Sequence, residues 1–154
     1  MPTARRSRMI AASVDELWEV MRDPHHLPRW WPRVTRVEDV QEGAFTEVMK
    51  TSKGKVVRAD FQLVEADEDA RSLKWEQRVQ GTPFGRVLRS SETVLRLVAA
   101  GELRDPVGRP ATEVTIELRQ TLTGFVPRFG GYMVRRAAKA TIDEALDGLE
   151  RISG

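Results

Sequence analysis

The sequence contains no cysteine among its 154 residues, and its only two histidines, His25 and His26, are adjacent. Without cysteine there can be no disulfide framework, no thiolate nucleophile and no cysteine-ligated metal. Two histidines are too few for a histidine-rich metal centre. Neighbouring side chains on a helix also diverge, so we expect no functional role for this pair. The sequence therefore predicts neither a metal site nor a resident cofactor.

Long apolar runs and a strong net charge are also missing. No window approaches the 18 consecutive apolar residues of a membrane span, and no apolar stretch of a signal peptide follows Arg5, Arg6 and Arg8. The chain carries 25 basic and 23 acidic residues, a net charge of +2, and no aromatic residues alternate with the arginines. We expect a cytoplasmic protein without a membrane span, without a nucleic-acid partner and with these arginines solvated.

The length and composition are those of an ordinary globular domain. Apolar residue types make up 40% and charged types 31% of the chain, and we find no repeat, low-complexity tract or linker. A domain of this size buries enough surface to be stable without covalent cross-links. We expect residues 1–154 to form a single ligand-binding domain, whose oligomeric state the sequence leaves open.

The first helix has a clear start and stop. Ser13 is a candidate N-cap, and Glu16 three residues later completes a capping-box pattern. Asp23-Pro24 ends the helix and can begin a second short one. The apolar positions in between recur at helical spacing: Val14, Leu17, Trp18 and Met21.

Strand signals then continue for almost ninety residues. Each apolar or β-branched run is separated from the next by turn residues, a pattern typical of an antiparallel meander. The predicted strands cover Val34 to Val40, Phe45 to Thr51, Val56 to Val64, Ser72 to Val79, Val87 to Val98 and Thr112 to Leu122. With a strand before the first helix, we expect about seven strands.

The final segment, Gly131 to Ile152, is predicted as one long amphipathic helix. It contains no proline, and a helix of about 20 residues spans about 30 Å, enough to cross a sheet. Its apolar stripe follows three- and four-residue steps through Val134, Ala138, Ile142, Ala145, Leu149 and Ile152.

This order of elements, together with the residues from Ile10 to Trp18 and the later Trp30-Trp31-Pro32, resembles one superfamily. The chain looks like an SRPBCC, START or Bet v 1-like protein of the polyketide cyclase/dehydrase branch. The resemblance covers nearly the whole chain. It implies an α+β helix-grip fold, in which an antiparallel sheet wraps around the long C-terminal helix and leaves an apolar cavity between them.

Strand alternation predicts which side chains face that cavity. Val57, Ala59, Phe61 and Leu63 share one dry face, as do Leu73, Trp75, Gln77 and Val79 on the next strand and Val114, Ile116, Leu118, Gln120 and Leu122 on the last. The same alternation places Glu47 and Arg89 inward, as weak candidates for catalysis. A one-residue bulge would instead put either of them on the surface.

The candidate ligand-binding residues follow from this pattern. Polar groups on otherwise dry faces suit a pocket better than a plain core, although satisfied core groups remain an alternative for them. Of the neighbouring Trp30 and Trp31, one can pack while the other lines the pocket mouth, and the apolar loop residues Phe84, Phe125 and Phe129 either form a rim or attach loops to the core. The predicted ligand-binding set is Trp75, Gln77, Ser91, Thr93, Gln120, Trp31, Phe61 and Met133.

Three functions are compatible with the residues. The leading hypothesis is binding or transport of a small hydrophobic or aromatic ligand, lipid- or polyketide-like, and the alternative is a polyketide aromatase/cyclase or dehydratase using the same cavity. The resemblance implies for aromatase/cyclases an arginine facing the pocket from the strand Val56 to Val64. This sequence has Leu63 there, and its nearest substitute is Arg89 on another strand. The third is a protein-interaction module whose interior is filled.

Overall fold

The computed structural model describes residues 3–104, 108–124 and 128–153, except the side chains of residues 102–104 and 128–129. Phe125 and the side chain of Phe129 lie outside the described part. The described strands are β1 (Thr3–Ile10), β2 (Val34–Gln41), β3 (Ala44–Lys50), β4 (Val56–Asp67), β5 (Ser72–Gln77), β6 (Leu88–Arg104) and β7 (Pro110–Leu122). The helices are α1 (Val14–Met21), α2 (Leu27–Trp30) and α3 (Arg128–Ser153), with 3₁₀ turns at Pro24–His26 and Pro83–Arg86.

The strands form a seven-stranded antiparallel sheet in the order β1-β7-β6-β5-β4-β3-β2. Consecutive strands from β2 to β7 are neighbours, as expected of a meander, and β1 joins the sheet beside β7. The predicted α+β architecture, with two short helices after the first strand and a long last helix, is confirmed.

The short helices begin where the sequence predicts. The Ser13 hydroxyl accepts a hydrogen bond from the backbone N–H of Glu16 at 3.1 Å, which satisfies one of the free donors in the first turn of α1. Asp23 likewise accepts from the backbone N–H of His25 at 3.0 Å, with Pro24 at the first position of the turn. Local capping thus sets both helix starts.

Helix α3 buries its apolar stripe against the sheet. Ala138, Ile142, Ala145 and Leu149 are buried, as is Leu146 on the same side. These residues share one hydrophobic core with sheet residues that include Leu73, Leu95, Val114 and Ile116, and with the α1 residues Leu17, Trp18 and Met21. The predicted stripe is confirmed at its centre.

Ion pairs also connect α3 to the edge strand β1. Arg6 lies 3.6 Å from Asp143, and Arg8 contacts both Asp147 and Glu150, with its Nη1 3.5 Å from a Glu150 carboxylate oxygen. The sequence suggested that these arginines are only solvated. They are partly exposed, but the alternation of β1 turns both toward the helix and brings them to its acidic residues.

The described helices, α3 included, are short or polar compared with a membrane span. None of them is both long enough and apolar enough to cross a bilayer.

Candidate functional site

A cavity of about 430 Å³ lies between α3 and the sheet. Its walls come from five strands, from α3, from the segment that connects β5 to β6 and from Trp31 at the end of α2. The lining residues are Trp31, Glu47, Met49, Phe61, Trp75, Gln77, Pro83, Phe84, Val87, Leu88, Ser91, Thr93, Leu118, Gln120, Val134, Ala137, Ala138 and Thr141. Volume and lining agree with the predicted pocket, which is mostly apolar and carries a few polar groups.

Small side chains on α3 leave the space open. Val134, Ala137, Ala138 and Thr141 follow the three- and four-residue spacing of one helix face, and all four line the cavity. Further along the helix the same side carries Ile142, Leu146 and Leu149, which are fully buried. The helix therefore closes the core at its C-terminal half and forms a cavity wall at its N-terminal half.

Aromatic rings form the sheet side of the wall. Phe45 stacks on Phe61 with ring centroids 5.2 Å apart, and Trp75 meets Phe45 edge-on at 5.3 Å. Phe61 and Trp75 line the cavity, whereas Phe45 supports them from within the core. Contacts of this kind hold aromatic rings in fixed orientations, so the wall is preorganised for an apolar ligand.

The neighbouring tryptophans divide their roles. Trp30 is buried in the core, and its ring meets that of Trp31 edge-on at 5.4 Å. Trp31 is only partly buried and lines the cavity. The prediction that one packs while the other reaches the pocket is confirmed.

A row of polar side chains crosses the sheet on the cavity face. Ser91 on β6 lies opposite Gln120 on β7, and the Gln120 amide donates to the Ser91 hydroxyl at 3.5 Å. Thr93, two residues along β6, is buried beside Trp75 in register. On β5 the buried amide nitrogen of Gln77 has no hydrogen-bond partner in the part of the chain that the structure describes. The side-chain amide of Gln77 is therefore a hydrogen-bond donor at the cavity that the described residues leave unused.

Glu47 provides the acidic group of the cavity. It is 4% exposed, and the described residues offer it neither a hydrogen-bond partner nor a cation. Its register partners are Val37 on β2 and Ala59 on β4, both apolar. Burial raises the pKa of Glu47 from its usual 4.5 to about 8, because an uncompensated carboxylate is poorly solvated there. Glu47 is therefore mainly protonated at neutral pH.

Arg89 does not face the cavity, so its predicted inward position is wrong. The pairing of β6 with β7 shifts register between Leu88 and Ser90, where β6 contains one extra residue. This bulge turns Leu88 to the cavity and leaves Arg89 exposed on the other face. Glu47 and Arg89 therefore do not form a pair, and the cavity lacks the arginine that the sequence offered as a substitute.

Met133 is the other misplaced residue. It is 50% exposed and is not part of the cavity wall. Successive helical residues are rotated by about 100°, so Met133 points away from the face that carries Val134. All seven other predicted ligand-binding residues do line the cavity.

Sequence reasoning missed Pro83, Leu88 and Thr141 as lining residues. Strict alternation along β6 places Leu88 on the outer face, because alternation alone does not reveal the bulge. Thr141 could have been found, because it lies three residues after Ala138 on the same helix face.

A second depression of about 550 Å³ lies on the far side of Phe61 and Gln77, which line both spaces. The pairing of β5 with β6 ends at Glu76 and Glu92 in this region. The exposed Arg89 belongs to this outer depression, together with Asp60, Glu76 and Arg78.

Comparison with known proteins gives a family and a set of similar folds. The family model described as polyketide cyclase/dehydrase and lipid transport matches residues 1–154. No curated protein matches the chain.

Three solved structures illustrate the likeness. A START superfamily protein from Mycobacterium smegmatis has a TM-score of 0.75 and 16% identity, covering 98% of this chain and 96% of that one. The di-domain ARO/CYC protein BexL from the BE-7585A biosynthetic pathway has a TM-score of 0.76 and 20% identity, covering 98% of this chain and 46% of that one. A protein from Thermobifida fusca has a TM-score of 0.72 and 22% identity, covering 100% of this chain and 94% of that one. At these identities the likeness shows the fold alone.

Proposed function

Because this chain belongs to the family of polyketide cyclases/dehydrases and lipid-transport proteins, we propose that it binds a small hydrophobic or aromatic molecule, lipid- or polyketide-like, in the cavity between α3 and the sheet. The observation that carries the proposal is the composition of the wall. Aromatic and aliphatic side chains dominate it, while the Gln77 amide nitrogen and the Glu47 carboxyl reach it without a partner among the described residues.

Unpaired polar groups of this kind are unfavourable in a core that serves only packing. A buried donor or acceptor without a partner costs about 1–3 kcal/mol. In a ligand site the same groups are useful, since they orient a bound molecule through its own polar atoms. The space between α3 and the sheet is also not filled by side chains. A filled interior was the observation expected of a protein-interaction module, so the structure does not favour that hypothesis.

Ligand binding should appear as thermal stabilisation. A neutral naphthalene derivative, 2-naphthylmethanol, is a suitable probe because it combines an aromatic body with one polar group. At 100 times its dissociation constant the gain in unfolding free energy is about 2.7 kcal/mol. Native mass spectrometry of the purified protein would in addition show a co-purifying small molecule as excess mass.

Two alanines of α3 provide a matched pair of variants. Ala138 lines the cavity, and Ala138→Leu extends into it; Ala140 is exposed and does not line it. We expect Ala138→Leu to abolish the stabilisation by the probe and Ala140→Leu to retain it. Equal stabilisation of both variants would show that the probe binds elsewhere, and no stabilisation of the unmodified protein would contradict the proposal.

A second candidate function, a cyclase or dehydratase, is favoured by one observation. Glu47 is buried in the cavity and holds its proton at neutral pH, as a general acid requires. Dehydration of a β-hydroxy ketone needs an acid that protonates the leaving hydroxyl and a base that removes the α-proton. Glu47 is the one ionisable side chain among the described lining residues. It can fill one of these two roles in a given step, and the other group would have to come from water or the substrate.

The enzyme hypothesis has its own test. Incubation with an aromatic β-hydroxy ketone should yield the dehydrated product, detected as loss of one water by mass spectrometry. Glu47→Gln preserves shape and should abolish turnover while the ketone still raises the melting temperature. Binding without product in the unmodified protein would favour the carrier.

A further inference from the structure

Among the described lining residues, the cavity contains one ionisable group and no opposite charge to balance it. Among the described lining residues only Glu47 can carry a charge, and no arginine, lysine or histidine shares the wall. Glu47 is paired in the sheet with Val37 of β2 and Ala59 of β4. The α3 residues that line the same cavity are Val134, Ala137, Ala138 and Thr141. None of these side chains titrates, so within the described part of the chain the charge of the cavity wall depends on Glu47.

Arg89, the arginine that the sequence predicted to face the cavity, does not line it. Arg89 is exposed on the opposite face of the sheet because of the bulge at Leu88. Among the described lining residues, a charge on a bound ligand therefore meets one ionisable group, the carboxyl of Glu47, which is itself buried. In such an environment an unpaired charge is strongly unfavourable and a paired charge is tolerated.

We propose that Glu47 makes the cavity selective for ligand charge, so that it admits neutral ligands, binds amine cations through an ion pair with Glu47, and rejects carboxylates and other anions. This inference rests on the proposed ligand-binding function and specifies the class of ligand. An ammonium group pairs with the Glu47 carboxylate. A hydroxyl or carbonyl ligand accepts a hydrogen bond from the protonated carboxyl. An anion finds no cation among the described lining residues and faces Glu47.

Binding of an amine also has a distinctive proton balance. The amine enters as an ammonium ion, Glu47 gives up its carboxyl proton, and that proton passes to the solvent as the ion pair forms. With a pKa of about 8, Glu47 is largely protonated at pH 7 before binding. Close to one proton should therefore be released per amine bound, and none per neutral alcohol.

Three naphthalene probes of the same shape test the proposal at pH 7: 2-naphthylmethanol, 2-naphthylmethylamine and 2-naphthoate. Their dissociation constants can be measured by isothermal titration calorimetry in two buffers of different ionisation enthalpy, which also counts protons. We expect the amine to bind at least as tightly as the alcohol and the carboxylate to bind at least tenfold more weakly than the alcohol.

Glu47→Gln removes the charge and keeps the shape. It should weaken amine binding at least tenfold, change alcohol binding less than threefold and abolish proton release. Glu113→Gln is the matched control, since Glu113 is exposed on β7 and lies outside the cavity. This control should behave like the unmodified protein with all three probes.

The outcomes separate the two proposals. Carboxylate binding as tight as that of the alcohol, or equal amine binding by the unmodified protein and Glu47→Gln, would overturn charge selectivity while ligand binding stands. Amine binding as weak as carboxylate binding in the unmodified protein would overturn the ion pair without need of any variant. Failure of all three probes to bind would overturn the proposed function, and this inference with it.

Discussion

Gly148 of α3 lies directly against the backbone of Trp30 in α2. A Cβ atom placed on Gly148 would be 2.3 Å from the Trp30 carbonyl oxygen and 2.9 Å from its Cα. Cβ atoms essentially never come this close to non-bonded atoms, and the obstacle is main chain, which cannot rotate away. The absence of a side chain at residue 148 thus permits the close crossing of the two helices that holds Trp30 in the core.

The first prediction follows from this contact. Gly148→Ala should destabilise the protein by about 1–3 kcal/mol, because the helices must separate, although alanine is the better helix former by about 1 kcal/mol. The free energy of unfolding can be measured by urea denaturation.

Gly131→Ala is the matched control within the same helix. Among the described residues, a Cβ at Gly131 would meet only a Leu122 side-chain carbon at 3.6 Å, an ordinary contact. This variant should be neutral or more stable by up to about 1 kcal/mol. Similar effects of the two substitutions would show that helix propensity, not the crossing, decides the outcome at Gly148.

The second prediction concerns pH. Glu47 has a pKa of about 8 in the folded protein and an ordinary value of 4.5 when exposed. Between these values the folded state holds a proton that the unfolded state has released, so raising the pH favours unfolding. The contribution of Glu47 to stability is fully present below pH 4.5 and is lost as the pH rises to about 8, with a slope of up to about 1.4 kcal/mol per pH unit.

Denaturation of the unmodified protein and of Glu47→Gln at several pH values between 5 and 9 checks this sign. The stability of Glu47→Gln relative to the unmodified protein should increase from pH 5 to about pH 8 and level off toward pH 9. The control Glu113→Gln should show no such trend, since Glu113 is exposed. Parallel curves for Glu47→Gln and the unmodified protein would mean that Glu47 titrates normally.

The third prediction separates cavity from core. Trp75 lines the cavity, whereas Trp18 packs in the core, donates a hydrogen bond to Glu68 at 2.8 Å and lies under the Arg71 guanidinium at 5.8 Å. Trp18→Phe removes these contacts and should cost stability by about 1–2 kcal/mol while leaving the thermal response to 2-naphthylmethanol intact. Trp75→Phe should reduce that response.

Melting curves with and without the probe measure both quantities. The comparison is controlled internally, because the two variants make the same chemical change at two buried tryptophans. If Trp18→Phe reduced the ligand response as much as Trp75→Phe does, the position of Trp75 on the cavity wall would have no bearing on binding.

The fourth prediction concerns the link between β1 and α3. Arg8 pairs with Asp147 and Glu150, but its side chain is 27% exposed and those of its partners more so. Partly exposed pairs contribute little, and Arg8→Met should cost about 0.2–1 kcal/mol in low salt. The difference should shrink in 1 M NaCl, where charges are screened within about 3 Å.

Arg5 is the control on the same strand. It is exposed, faces away from α3 and has no ion pair within the described residues. Arg5→Met should therefore leave stability unchanged at both salt concentrations. If the loss of stability in Arg8→Met persisted in 1 M NaCl, it would come from the packing of the arginine side chain and not from its charge.

The sequence by itself determined the elements and most of their faces. Ser13 and Asp23 begin their helices through hydrogen bonds to residues two or three positions away, so a short segment contains all the information. Alternation likewise predicted the dry faces of β4, β5 and β7, because the pleat repeats every two residues wherever pairing is regular. Even the inward position of Glu47 followed from this local rule.

Tertiary structure alone decided the remainder. The bulge at Leu88 arises from the register between β6 and β7, which depends on two segments at once, and it moved Arg89 out of the cavity. The crossing at Gly148 requires α2 to meet α3, more than a hundred residues apart. The raised pKa of Glu47 depends on which groups the fold fails to bring near it. The spacing of residues along the chain determines which face of a helix or strand a side chain occupies. Which residues that side chain contacts, whether a cavity forms beside it and how deeply it is buried depend on how distant segments pack together.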